Sequence, residues 1–152
     1  MAIVRTAGTE IIRAHHYEAI EGVGNHDLIF GVQHHIYTVL SVIIHCAGLA
    51  ATSHFARLLI YGYDSFAGDP TEEIWLWKDT IPEGETFVWN DKFSFNGAEP
   101  TTFNSTAPLS TAAEQDAIAD QGQNTAQKLM LYSSHASTSY DVTVTFIDQN
   151  NE

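Results

Sequence analysis

Period two, not 3.6, dominates the hydrophobic pattern of this chain. Tyr140, Val142, Val144 and Phe146 alternate with Asp141, Thr143 and Thr145. Successive strand side chains point to opposite faces, so this stretch predicts a strand with one buried and one wet face. Residues 36–44 are apolar on both parities and predict a central strand covered on both sides. Further strands are expected over residues 55–63, 73–78 and 128–132. Residues 86–89 and 92–95 predict two strands, or one strand bent at Asn90 and Asp91. Ile3-Val4 and residues 10–13 are weaker candidates. β-branched and aromatic residues fill these runs, as strands prefer.

Turn chemistry separates the runs. Gly22-Val23-Gly24-Asn25, Gly68-Asp69-Pro70, Pro82-Glu83-Gly84 and Asn96-Gly97 all fall between them. Short strands at this spacing predict an all-β fold, an antiparallel β-sandwich or jelly-roll. Residues 98–127 depart from the pattern, being small and polar with Pro100 and Pro108. Within them Thr111-Ala112-Ala113-Glu114 fits a capping box, and Ala113, Ala117 and Ile118 could share a face. The expectation is a short helix near residues 111–120 inside a long polar loop. Loops of that length are commonly functional, so this one is a candidate for partner contact as well as an ordinary solvated excursion.

The length of 152 residues fits one sandwich domain over residues 1–152. A chain that long buries roughly 70% of its unfolded surface and needs no staple. The 19 acidic residues outnumber six Lys and Arg, for a net charge of -13. Such a field repels phosphate backbones and anionic lipid, so neither nucleic acid nor membrane is an expected partner. Cys46 is the single cysteine, which excludes an intrachain disulfide and predicts a small buried residue. Residues 1–6 hold no long apolar stretch, and the most apolar window, residues 36–51, is shorter than the ~20 residues of a membrane helix. Synthesis in a reducing cytoplasm is the expectation.

Eight histidines invite a metal reading. His15-His16 and His34-His35 are adjacent pairs, and strand neighbours face opposite ways, so neither pair easily chelates one ion. His-x-His and His-Glu-x-x-His are both absent. A jelly-roll metal enzyme would have to draw on His135 late in the chain. Asp64, Asp69, Glu72 and Glu73 flank one turn and suit either solvation or a weak Ca²⁺ site. Glu83 and Glu85 bracket Gly84 as turn solvation. Ser133-Ser134-His135 lies outside any Gly-x-Ser-x-Gly context, so a Ser-rich strand end is the simpler account. Asn104-Ser105-Thr106 matches a glycosylation sequon. No cofactor and no catalytic residue is assigned. Trp75 and Trp77, at a spacing of two, are expected on one face, either in the core or as an exposed patch for a partner or sugar ring.

The order of segments then becomes informative. Residues 34–42 precede Leu58-Leu59-Ile60-Tyr61. Next come Ile81-Pro82-Glu83-Gly84-Glu85-Thr86-Phe87 and Asp91-Lys92-Phe93-Ser94-Phe95-Asn96-Gly97. The series closes with Lys128-Leu129-Met130-Leu131-Tyr132-Ser133-Ser134 and the alternating run from Tyr140 to Asp148. Over roughly residues 28–148, apart from the 98–127 insertion, this resembles the small β-sandwich virion proteins of tailed bacteriophages. The resemblance implies a non-enzymatic structural protein of the virion. The form it points to is a capsid decoration (cement) protein on the capsid surface that binds over major capsid subunits and stabilises the head. It implies a homo-oligomer, often a trimer. It also implies contact through an N-terminal arm, here residues 2–16, with Ile3, Val4, Arg5, Ile11, Ile12 and Arg13 as partner-contact residues. A tail-associated receptor- or carbohydrate-binding module is the alternative, and a jelly-roll metal enzyme a further one.

Overall fold

The computed structural model describes residues 9–49, 53–62, 72–98 and 126–150. Among the described residues nine strands run in order β1 (Glu10–Ile20), β2 (Gly24–Phe30), β3 (His35–Gly48), β4 (Ala56–Tyr61), β5 (Glu73–Asp79), β6 (Thr86–Trp89), β7 (Phe93–Asn96), β8 (Lys128–Ser133) and β9 (Ser139–Asn150). One sheet has the order β1-β9-β3-β6, with β7 also paired to β3; the other has the order β2-β8-β4-β5. All pairings are antiparallel. The consecutive strands β1 and β2, β3 and β4, and β5 and β6 fall in opposite sheets, as do β8 and β9, which is jelly-roll topology. The predicted all-β sandwich is therefore the fold. The short helix expected near residues 111–120, and most of the 98–127 loop, lie outside the described residues.

The core is the interleaf between the sheets. Val39, Val42 and Ile44 of β3 and Val142, Val144 and Phe146 of β9 meet Leu58 and Ile60 of β4 and Leu129 and Leu131 of β8. Each side chain of this kind, fully buried, contributes about 1.5–3 kcal/mol. Cys46 is buried among them.

Three departures from simple alternation shape the sandwich. β3 is apolar on both parities for a reason other than double coverage. Its register against β9 slips between Val39 and Ser41, so Tyr37 and Val39 face the core before the slip and Val42, Ile44 and Cys46 after it. The outer face stays open, with Ile43 exposed. β6 and β7 share β3 as neighbour, pairing with residues 42–45 and 36–39 respectively, so they form one edge interrupted at residues 90–92. The Trp89 indole Nε1–H donates to the Asp91 carbonyl at 2.8 Å across that break. In β2, a slip between Asp27 and Ile29 turns both Leu28 and Ile29 into the core.

Candidate interaction surface

The described strands leave four sheet edges, and they are not equal. The β6/β7 edge is broken in the middle, while β2 and β5 are seven residues each and both carry register slips. Short, broken or bulged edges resist pairing with another chain. β1 is 11 residues long, follows β9 in continuous register from Glu10 to Tyr17, and is exposed along nearly all of its length. Among the described residues β9 is its single strand neighbour. No described strand pairs with its second side, and backbone donors and acceptors along such a side are the template that β-strand addition uses.

The side chains of β1 add to this. Ile12, 69% exposed, lies on the outer face of the sheet across from Ile147. Ile43 and Val88, a direct cross-strand pair, are also exposed on that sheet. On the opposite parity Ile11 is 43% exposed, and Arg13, His15 and Tyr17 turn toward β2. Of the expected contact residues, Ile11, Ile12 and Arg13 are thus gathered on one strand that is an edge among the described strands, while Ile3, Val4 and Arg5 lie outside the described residues. The expected arm over residues 2–16 needs a correction: residues 10–16 are paired into the sheet and form no free arm. β1 was visible at residues 10–13, but its length was hidden because His15, His16 and Glu18 interrupt the apolar pattern of a strand exposed on both faces.

Behind β1 a cleft of about 340 Å³ opens between the sheets, with Asp148 and Tyr37 among its lining residues. Asp148 is buried there. Its Oδ2 accepts a bond from Arg13 Nε at 2.8 Å, and its Oδ1 sits 2.6 Å from His35 Nδ1. Burial alone pushes its carboxyl pKa up, but the hydrogen bonds and positive charge of His35 and Arg13 outweigh this and hold it below the ordinary carboxylate value. This ion pair ties β1 to β9 and β3. The Tyr17 hydroxyl donates to the Leu28 carbonyl at 2.6 Å and ties β1 to the facing sheet. The open edge is consequently a braced one.

The other sequence candidates resolve as follows. His15 and His16 do point to opposite faces: His15 packs edge-on against Phe146 at 5.0 Å, and His16 bonds Thr143 on the outer face at 2.8 Å. Among the described residues no three His, Cys, Asp or Glu side chains come together as metal ligands. Asp64 and Asp69 lie outside the described residues. Ser133 donates to the His135 carbonyl, and Ser134 Oγ accepts the Phe55 amide, so both hydroxyls bond backbone in the strand-end turns. Trp75 and Trp77 do not share a face. The β4–β5 register slips between Leu58, opposite Trp77, and Leu59, opposite Trp75. Trp77 packs on the core and stacks on Phe87 of the other sheet at 4.1 Å, whereas Trp75 is 50% exposed.

No protein-family model and no curated protein matches the chain. Among solved structures, the chain is similar to one described by the words "Bacillus endospore appendages form a novel family of disulfide-linked pili". The likeness covers 100% of this chain and 97% of that one, with a TM-score of 0.46 and 6% identity. Likeness at that level carries neither function nor residue roles from one chain to the other. Among the described residues no helix is long and apolar enough to cross a membrane.

Proposed function

We propose that this chain is a non-enzymatic structural protein that joins protein subunits through its β1 edge, and in particular a decoration protein of a tailed-phage head. One observation carries the reading: β1 keeps unbroken register with β9 from Glu10 to Tyr17, has no second strand neighbour among the described residues, and exposes Ile11 and Ile12 on its two faces. A strand added there gains main-chain hydrogen bonds along its length and apolar contacts on both sides. The rest of the molecule suits the task, because two sheets packed on a continuous core make a rigid block. The partners on this reading are the major capsid protein and further copies of the chain, as a homo-oligomer such as a trimer. The protein would stabilise the assembly by binding across neighbours, through mass action and multivalency.

In a phage whose genome encodes the chain, deleting its gene is expected to lower the temperature at which heads disrupt. Adding back the purified protein restores that temperature, whereas the Ile12→Lys variant does not. Ile12 is exposed, so this substitution leaves stability within about 0.5 kcal/mol and tests the contact alone. Absence of the protein from purified virions, or equal disruption temperatures with and without it, contradicts the reading.

A further inference from the structure

The outer face of the β2-β8-β4-β5 sheet carries a cluster of cations and rings that the edge-binding role does not use. Arg57 of β4 lies directly between Tyr132 of β8 and Lys78 of β5 in the cross-strand register. Its guanidinium carbon stands 3.9 Å from the Trp75 ring centre, 4.6 Å from that of Tyr132 and 4.8 Å from that of Phe55. The Lys78 ammonium stands 4.4 Å from the Phe55 ring centre. Phe55 and Tyr132 stack on each other at 5.8 Å.

The charge arrangement is the unusual part. The chain has 19 acidic residues and six Lys and Arg, yet two of those six sit side by side here. Among the described residues, neither makes an ion pair with a carboxylate. Arg57 Nε is buried without a hydrogen-bond partner. The nearest acid in sequence, Asp79, accepts the backbone amide of Thr80 at 2.7 Å. Like charges directly opposite on neighbouring strands repel, and cation–π contacts of about 0.5–1 kcal/mol each offset this only in part. Among the described residues neither cation is thus paired with a carboxylate, Asp79 at the cleft included. Beside it a cleft of about 460 Å³ is lined by Ser53, His54, Phe55, Lys78, Asp79 and Thr80.

We propose that this face binds an acidic saccharide, a pyranose ring bearing a carboxylate or sulfate. Trp75 has Arg57 over its ring yet is half-exposed, and the part of the indole that Arg57 leaves uncovered takes the C–H face of the sugar ring. Lys78 and Arg57 take the acidic group, and the polar lining of the cleft faces the hydroxyls. A long polyphosphate meets the field of the whole chain, at a net charge of -13, and is repelled. A short acidic sugar meets chiefly the two local cations. The site lies on the other sheet from β1, so it does not depend on the subunit-joining role and would leave that edge free.

Titration of the full chain with α-1,4-linked digalacturonate and with a chondroitin sulfate disaccharide, read by tryptophan fluorescence and calorimetry, tests this. The expected result is saturable binding of at least one of them. Binding weakens about tenfold or more in Trp75→Ser and in Lys78→Gln, and cellohexaose, which is neutral, does not bind. Both substitutions are on the surface, and thermal melts of the variants verify that the fold is kept. No binding of either acidic oligosaccharide, equal binding by the variants, or equal affinity for inorganic phosphate overturns the proposal. So does self-association of the chain that Lys78→Gln abolishes while no saccharide binds, since the occupant would then be a second acidic copy.

Discussion

A Gly97→Ala chain is expected to lose about 3 kcal/mol of stability, at the upper end of what overpacking costs. A Cβ at Gly97 would fall onto the backbone of Val32, and one at Gly31 onto the carbonyl oxygens of Gly97 and Gln127. Three chain segments meet here with no side chain between them. The Gly97 amide donates to the His35 carbonyl at 2.8 Å, the Gln127 amide to the Gly97 carbonyl at 3.1 Å, and the Gly31 amide to the Gln127 carbonyl at 2.9 Å. Nothing flexible is available to give way, because the obstructing atoms are backbone. Moving them breaks the bonds that join the end of β2 to the ends of β7 and β8. Gly48→Ala is the control, since its nearest neighbour would be the Ser139 Cβ at 3.9 Å, and it should change stability by no more than about 0.5 kcal/mol. Urea unfolding of the three chains decides the matter. Equal midpoints for Gly97→Ala and the parent would mean that the close approach is not there.

Removing the Asp148 carboxylate is the second large effect. Asp148→Asn is nearly isosteric but loses charge-assisted bonds from Arg13 and His35, for a cost of about 2 kcal/mol at neutral pH. The value stays at that level because the Arg13 side chain is 44% exposed and can rehydrate. The pH dependence follows from the sign of the shift. The folded-state pKa of Asp148 is depressed, so the unfolded chain binds the proton first as pH falls. Its contribution is complete above the ordinary carboxylate pKa of about 4 and disappears as pH drops through the lower folded value. Parent and variant should therefore differ in urea midpoint at pH 7, and the difference should shrink as pH falls below about 4. A difference that persists undiminished into acid would place the stabilisation elsewhere.

How far the sequence alone reaches can be judged strand by strand. β9 was legible because one edge of every alternate residue is buried and no bulge interrupts Tyr140 to Asp148. The two-layer all-β class followed from such runs and from the turn residues between them. Where a bulge intervened, parity misled. The slip at Leu40 makes one-sided β3 look covered on both faces, and the slip at Leu76 separates two tryptophans that a strict period of two would place together. β2 escaped notice because its core residues, Leu28 and Ile29, are neighbours and its start reads as a Gly-rich turn. For the interaction surface, Ile11, Ile12 and Arg13 stood out, but nothing local said that their strand is the open edge. That is a property of pairing across some 140 residues of chain, from Glu10 to Gln149. The cation–ring cluster was invisible for the same reason, since Arg57, Lys78 and Tyr132 meet only through register.

The most direct test of the subunit-joining role is hydrogen exchange of the β1 amides, Glu10 to Ile20, in the free chain and in the assembled particle. Those that do not bond β9 should exchange rapidly in the isolated protein and slow markedly on assembly, with no comparable change along β6 and β7. Equal exchange of β1 in both states would contradict the role assigned to this edge.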